Sequence, residues 1–117
     1  MAFVLFHNPR CSKSRQVLKL LQEQGQSPDI HEYLKQPPTP KELRAILDKL
    51  GMPANALIRS KDKKIKELNL GPFDKMSEDE LVQLMSEHPQ LIQRPILIHG
   101  NRARLGRPPE AVLEIVQ

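Results

Sequence analysis

Cys11 is the only cysteine in the sequence, and it stands between Asn8-Pro9-Arg10 and Ser12-Lys13-Ser14-Arg15. A lone cysteine is more often a small buried hydrophobe than a reagent. Here, however, an apolar run ends just before it and a helical pattern begins just after it. A sulfur at such a junction faces the unsatisfied amides of the first helical turn, whose dipole favours a negative charge. Arg10 and Arg15 add positive potential, and His7 is near enough in sequence to polarise the same loop. Cysteines in such settings have lowered pKa values, and the thiolate is the nucleophile. The same amides bind tetrahedral oxyanions. The expected chemistry is therefore thiolate attack on an anion.

The elements that must hold this sulfur follow from pattern. Phe3 to Phe6 is a short apolar run that reads as a buried strand, broken by Asn8-Pro9-Arg10. From Ser12, the residues Val17, Leu18, Leu20 and Leu21 give a helix an apolar face, with Gly25 as a stop. Ile30 to Tyr33 reads as a second strand, and strand–helix–strand in close succession implies parallel pairing. Thr39, Pro40 and Glu42 form a capping box before a helix carrying Leu43, Ile46, Leu47 and Leu50 and ending at Gly51. Pro53 to Arg59 reads as a short helix, residues 60–64 as a charged surface stretch, and the chain to Leu70 as weakly helical. Ser77 and Glu80 form a second capping box, for a helix through Leu81, Leu84 and Met85 that stops near Pro89. Ile96–His99 and Ala103–Gly106 read as an antiparallel hairpin around Gly100-Asn101-Arg102. Pro108 can start a last helix carrying Val112, Leu113 and Val116. The expected fold is α/β: a four-stranded mixed sheet flanked by helices, with a helical insertion between its βαβ and ββα parts.

Length and composition narrow the classes. A chain of 117 residues suits one domain spanning 1–117. The 3% of aromatic residues leaves no stacking platform for single-stranded nucleic acid, and the net charge of +4 is too modest to argue for a nucleic-acid partner. No apolar run is long enough to span a membrane, and the opening residues lack a basic leader. One cysteine forms no internal disulfide, so a reducing compartment, the cytoplasm, is expected. His31, His88 and His99 have no metal-ligand spacing with the cysteine, and no metal is expected. His88 before Pro89 reads as a helix-end residue, and His99 as either near the site or in the hairpin turn. Met52, Met76 and Met85 read as core filler.

The run His7-Asn8-Pro9-Arg10-Cys11-Ser12-Lys13-Ser14-Arg15 closely resembles the active-site loop of the glutaredoxin-dependent arsenate reductases, a branch of the thioredoxin-like superfamily. Tyr33 to Thr39, Ala56 to Arg59, His88 to Ile96 and Arg104 to Pro108 resemble successive blocks of that family, in order and at similar spacing. The likeness covers essentially the whole chain. It implies Cys11 as nucleophile, with His7, Ser14 and Arg15 around the thiolate, and Arg59, Arg94 and Arg107 as the oxyanion-binding arginines. It also implies that Pro95 is the cis-proline beside the cysteine. The three arginines rest on the resemblance, since nothing else singles them out. Their chemistry is sound, because guanidinium forks bind tetrahedral oxyanions bidentately and stay charged.

Ser14 stands where thioredoxins carry a second cysteine, so the resolving thiol must come from outside. The resemblance implies glutathione as co-substrate and glutaredoxin as partner, arsenate or a similar oxyanion as substrate, and no tightly bound cofactor. Two other functions fit the same pattern. One is a non-enzymatic regulator of this fold that binds a transcription protein. The other is a thiol oxidoreductase acting on a mixed disulfide or another oxyanion. Retention of the arginine positions favours anion chemistry over the regulator.

Overall fold

The computed structural model describes residues 3–59, 62–70 and 72–116. These group into two compact units, Met1–Gln36 with Arg94–Gln117, and Pro37–Gln93.

In the first unit, β1 (Phe3–Phe6) is followed by α1 (Ser12–Glu23) and β2 (Asp29–His31). The chain returns to it as β3 (Ile96–His99), β4 (Arg102–Leu105) and a 3-10 helix (Pro109–Ile115). The four strands form one mixed sheet in the order β2-β1-β3-β4. β1 runs parallel to β2 and antiparallel to β3, with Phe6 opposite Ile96 and Phe3 opposite His99. β3 and β4 are antiparallel, joined by Gly100-Asn101. Gly100 has φ of 64°, a conformation that glycine takes without steric cost at the first position of a two-residue hairpin turn.

Val17 and Leu21 of α1 face Phe3 and Leu5 of β1, Leu97 of β3, and Val112 and Ile115 of the final 3-10 helix. The three-residue repeat of that helix puts Val112 and Ile115 on one side, and its bonds run from Ala111 N–H to Pro108 O and Val116 N–H to Leu113 O. The sequence pattern predicts an ordinary helix there, and the tighter form is a difference. Gly106 lies against α1: a Cβ built on it would stand 2.5 Å from Val17 Cγ2 and 2.8 Å from Pro95 Cγ.

Two strand boundaries also differ from expectation. β2 stops at His31, because Glu32 O accepts the amides of both Lys35 and Gln36 and turns the chain. Tyr33 is buried beside Phe6 rather than in the ladder, their ring centroids 6.1 Å apart. β4 begins at Arg102, which leaves a two-residue turn.

The second unit is helical: α2 (Pro40–Leu50), α3 (Ala54–Leu57), α4 (Lys63–Glu67), a 3-10 turn (Phe73–Lys75), α5 (Glu78–Glu87) and a 3-10 turn (Pro89–Leu91). Its core combines Leu43, Ile46 and Leu47 of α2 with Leu81, Val82 and Met85 of α5, all buried. Both expected capping boxes are present. Thr39 Oγ1 accepts the Glu42 amide while Glu42 accepts the Thr39 amide, and Ser77 and Glu80 do the same. Gly51 ends α2 with φ of 71°. α3 is one turn long because Ile58 leaves it to bridge Ile92. Of the expected charged stretch, Ser60 and Lys61 lie outside the described residues. His88 caps the C-terminus of α5. Among the described residues no helix is long and apolar enough to cross a membrane.

Candidate active site

The site is built on the loop between β1 and α1. β1 pairing continues one residue past the strand, since the His7 amide donates to His31 O at 3.0 Å. The chain then makes a tight turn, Asn8-Pro9-Arg10-Cys11, closed by the Cys11 amide donating to Asn8 O at 2.9 Å. Pro9 supplies the fixed φ that the second position of such a turn favours. Asn8 Oδ1 accepts the Arg10 amide at 3.0 Å, an Asx-turn. The Asn8 amide donates to Ser14 Oγ at 3.1 Å, so Asn8 ties the loop to the first turn of α1.

Cys11 is the N-cap residue of α1, with extended backbone, and is half-buried. The thiol closes no cap hydrogen bond. Burial by itself raises its pKa. The Ser14 amide, the Arg94 side chain and the Lys13 amide each favour the thiolate, Arg94 through its charge as well, and the net shift is downward. α1 has no acidic residue in its first turn to compete for these amides.

The loop and the first turn of α1 share a buried polar pair. Ser14 is fully buried, and its Oγ is 2.6 Å from His7 Nδ1. Burial lowers the His7 pKa; Glu32 opposes this shift and Arg15 adds to it. A neutral ring at neutral pH follows. With Oγ already accepting from Asn8, the Ser14 hydroxyl has its proton to donate to Nδ1, which assigns the remaining ring proton to Nε2.

The segment before β3 supplies the arginine that reaches the sulfur. The Arg94–Pro95 peptide is cis, as is Arg107–Pro108. Pro95 O accepts the Gly106 amide at 2.9 Å, and Arg107 Nε donates to Arg94 O at 2.8 Å. Arg94 and Arg107 are thereby held side by side, Arg107 exposed.

All eight residues expected at the site thus have definite places. His7, Cys11, Ser14 and Arg94 form one interacting group, with Pro95 and Arg107 adjoining Arg94. Arg15 braces the same loop, its Nη1 donating to Pro9 O at 2.9 Å. Arg59 belongs to the second unit, where its amide donates to Leu91 O and Nη1 pairs with Asp62 at 3.3 Å. His99 is at the end of β3 away from this loop, stacked on Phe3 and bonded to Ile115 O. Asn8, which sequence pattern marks only as a strand breaker, organises the turn. The signal for it was there, since Asn followed by Pro is a turn-initiating pair with its own side-chain acceptor. Among the described residues no three His, Cys, Asp or Glu side chains group as a metal site.

A four-stranded mixed sheet with a cysteine at the first strand–helix junction and a cis-proline before the third strand defines a thioredoxin-like protein. The ArsC family model matches residues 6–115. The chain is 46% identical to an arsenate reductase of Haemophilus influenzae, over 99% of this chain and 100% of that one. It is 49% identical to the uncharacterized Escherichia coli protein YfgD, over 96% and 94% of the two chains. The solved structure of an arsenate reductase from Vibrio cholerae superposes with a TM-score of 0.93 at 47% identity, covering 99% of this chain and 98% of that one. The chain belongs to the ArsC family.

Proposed function

We propose that this protein is a cytoplasmic arsenate reductase in which Cys11 is the nucleophile and glutathione and glutaredoxin supply the reducing thiols. The observation that carries the proposal is the pull of the Ser14 and Lys13 amides and the Arg94 guanidinium on the Cys11 sulfur, which favours the thiolate against its burial.

A dianionic oxyanion repels a thiolate, so attack needs positive charge fixed at the site. Arg94 serves both partners, and Arg107, tethered to the Arg94 carbonyl, adds a second guanidinium. Arg59 enters the proposal as a third on the family blocks alone. His7, Ser14 and Asn8 position the loop, and Arg15 holds it through Pro9.

The thiolate displaces a hydroxyl oxygen from arsenic as water, forming a Cys11 S–As bond. Glutathione sulfur then attacks the Cys11 adduct, and the electron pair of the S–As bond stays on arsenic. Arsenic(V) becomes arsenite, and two thiols become one Cys11–glutathione disulfide. Overall, arsenate, the Cys11 thiol and the glutathione thiol give arsenite, the mixed disulfide and one water, whose oxygen comes from arsenate and whose two protons come from the thiols. Glutaredoxin removes the glutathionyl group by thiol–disulfide exchange and restores Cys11. No resident cofactor is required. One cysteine in the chain is the reason for an external thiol.

The test is NADPH oxidation coupled through glutathione reductase, with arsenate, glutathione and glutaredoxin, for wild type and Cys11→Ser. Arsenate-dependent turnover that disappears in the variant is expected. Turnover retained by Cys11→Ser, or a wild-type rate that is the same without arsenate, would overturn the reading. Replacing glutaredoxin with thioredoxin decides the reductant: equal rates would remove the glutaredoxin requirement.

A further inference from the structure

A cleft of about 320 Å³ opens beside the reactive loop, inside the first unit. It is lined by Pro9 and Arg10 of the loop and by Glu32, Leu34 and Lys35 of the turn after β2, and His7 reaches it too. Its volume lies at the small end of sites that take small molecules. Its charges alternate in sign: Arg10 and Lys35 are cationic, and Glu32 is anionic. Lys35 Nζ lies 3.6 Å from Glu32 Oε1 in an exposed pair, the kind whose partners exchange readily for a ligand's. Leu34 is 42% exposed and gives the cleft an apolar wall.

We propose that this cleft docks the external thiol as a small zwitterionic peptide bearing two carboxylates and one ammonium, as glutathione does near neutral pH. This rests on the thiol-dependent reduction proposed above. The charges match in number and sign. Two cations meet the two carboxylates, one acid meets the ammonium, and the net charges of cleft and ligand are opposite. The turn that forms one wall ends at Cys11 itself, through the bond from its amide to Asn8 O. A peptide held against Pro9 and Arg10 therefore keeps its thiol next in line to the cysteine. A neutral thiol or an acidic peptide without the ammonium leaves part of the set unmatched.

The experiment is a ¹H–¹⁵N NMR titration of the full chain with S-methylglutathione, whose blocked sulfur cannot exchange with Cys11. Saturable shifts at Asn8, Arg10, Glu32, Leu34 and Lys35 are expected. Lys35→Glu, a substitution on an exposed side chain, should weaken binding roughly tenfold. Shifts absent from these residues, or equal affinity in the variant, would overturn the docking site. So would N-acetyl-triglutamate, which has carboxylates but no ammonium, binding as tightly, which would make the cleft a site for acidic segments. Arsenate turnover with dithiothreitol separates this proposal from the one it rests on. Turnover without S-methylglutathione in the cleft removes the docking site alone. Binding in the cleft with no turnover on any thiol removes the reductase and leaves the peptide site standing.

Discussion

Three helices of this chain begin in two ways that bear comparison. α2 and α5 close their first turns with complete capping boxes, from Thr39 and Glu42 and from Ser77 and Glu80, and both carry acidic residues there. α1 has neither a side-chain cap bond nor an acid in its first turn, and its N-cap is Cys11. The amides that α2 and α5 satisfy internally are left, in α1, facing a sulfur that Arg94 also approaches. Capping is worth about 0.5–2 kcal/mol per helix. α1 forgoes that stabilisation, and its open amides favour the ionised form of the Cys11 sulfur. The structural helices and the reactive one differ in whether the first turn is closed by the chain or left for a charge.

The largest effect that could break this contrast comes from the arginine. Arg94→Ala removes a donor to the thiolate and the charge that favours it, leaving the amides alone. Arsenate kcat/KM is expected to fall by about 10²–10³, the loss usual for one preorganised donor. The Cys11 pKa should rise, read from the pH dependence of alkylation. An unchanged alkylation profile would mean the helix start does the work by itself.

Next in size is the buried pair under the loop. Ser14→Ala leaves the buried His7 Nδ1 and Asn8 amide without their partner. A loss of about 1–3 kcal/mol in urea unfolding is expected. A loss below a few tenths would show that the loop does not depend on this bond. The His7 pKa is lowered in the folded chain, so the unfolded chain binds its proton more readily. The His7 contribution to wild-type stability should therefore be fully present above pH 6.5 and be lost as pH falls through the folded value.

Thr39→Ala and Ser77→Ala should each cost about 1 kcal/mol in unfolding free energy. Neither should move the Cys11 alkylation profile, because these caps serve only their own helices. A shifted profile in either variant would collapse the distinction between structural and reactive helix starts.

What could be read from the sequence follows the same line. Both capping boxes and the start of α1 were legible because each depends on neighbours a few residues away. The setting of Cys11 at the start of α1 was legible for that reason too, whereas Arg94, the guanidinium that favours its thiolate, comes from far along the chain. Features set by distant contacts were not. Tyr33 looks like the end of a strand, but its burial against Phe6 is satisfied outside the ladder, while Ile30 is on the edge strand and 45% exposed. Ile58 looks helical until Ile92 pairs with it. That the Arg15 guanidinium takes the Pro9 carbonyl is set by the path of the loop, which local pattern does not give. The cis bond at Arg107–Pro108 has no local signal at all.

The smallest effect tests the contrast most directly, by giving α1 the cap it lacks. Cys11→Ser places at the N-cap a hydroxyl that can accept from the Ser14 amide, as Thr39 and Ser77 accept from Glu42 and Glu80. Below the folded Cys11 value, where the sulfur carries its proton, the variant should be more stable than wild type by about 0.5–1 kcal/mol. The lowered Cys11 pKa gives the opposite trend with pH. Between the folded value and the ordinary 9.0 the unfolded chain holds more protons, so wild-type stability rises with pH across that window and is flat above it. Serine does not titrate there and lacks the rise. Wild-type minus variant stability, followed by urea unfolding under reducing conditions, should therefore climb from negative values as pH increases and level off near 9. A flat difference would mean that the amides of α1 discriminate no better between thiol and thiolate than bulk water does, and the open helix start would then have no bearing on the sulfur's charge.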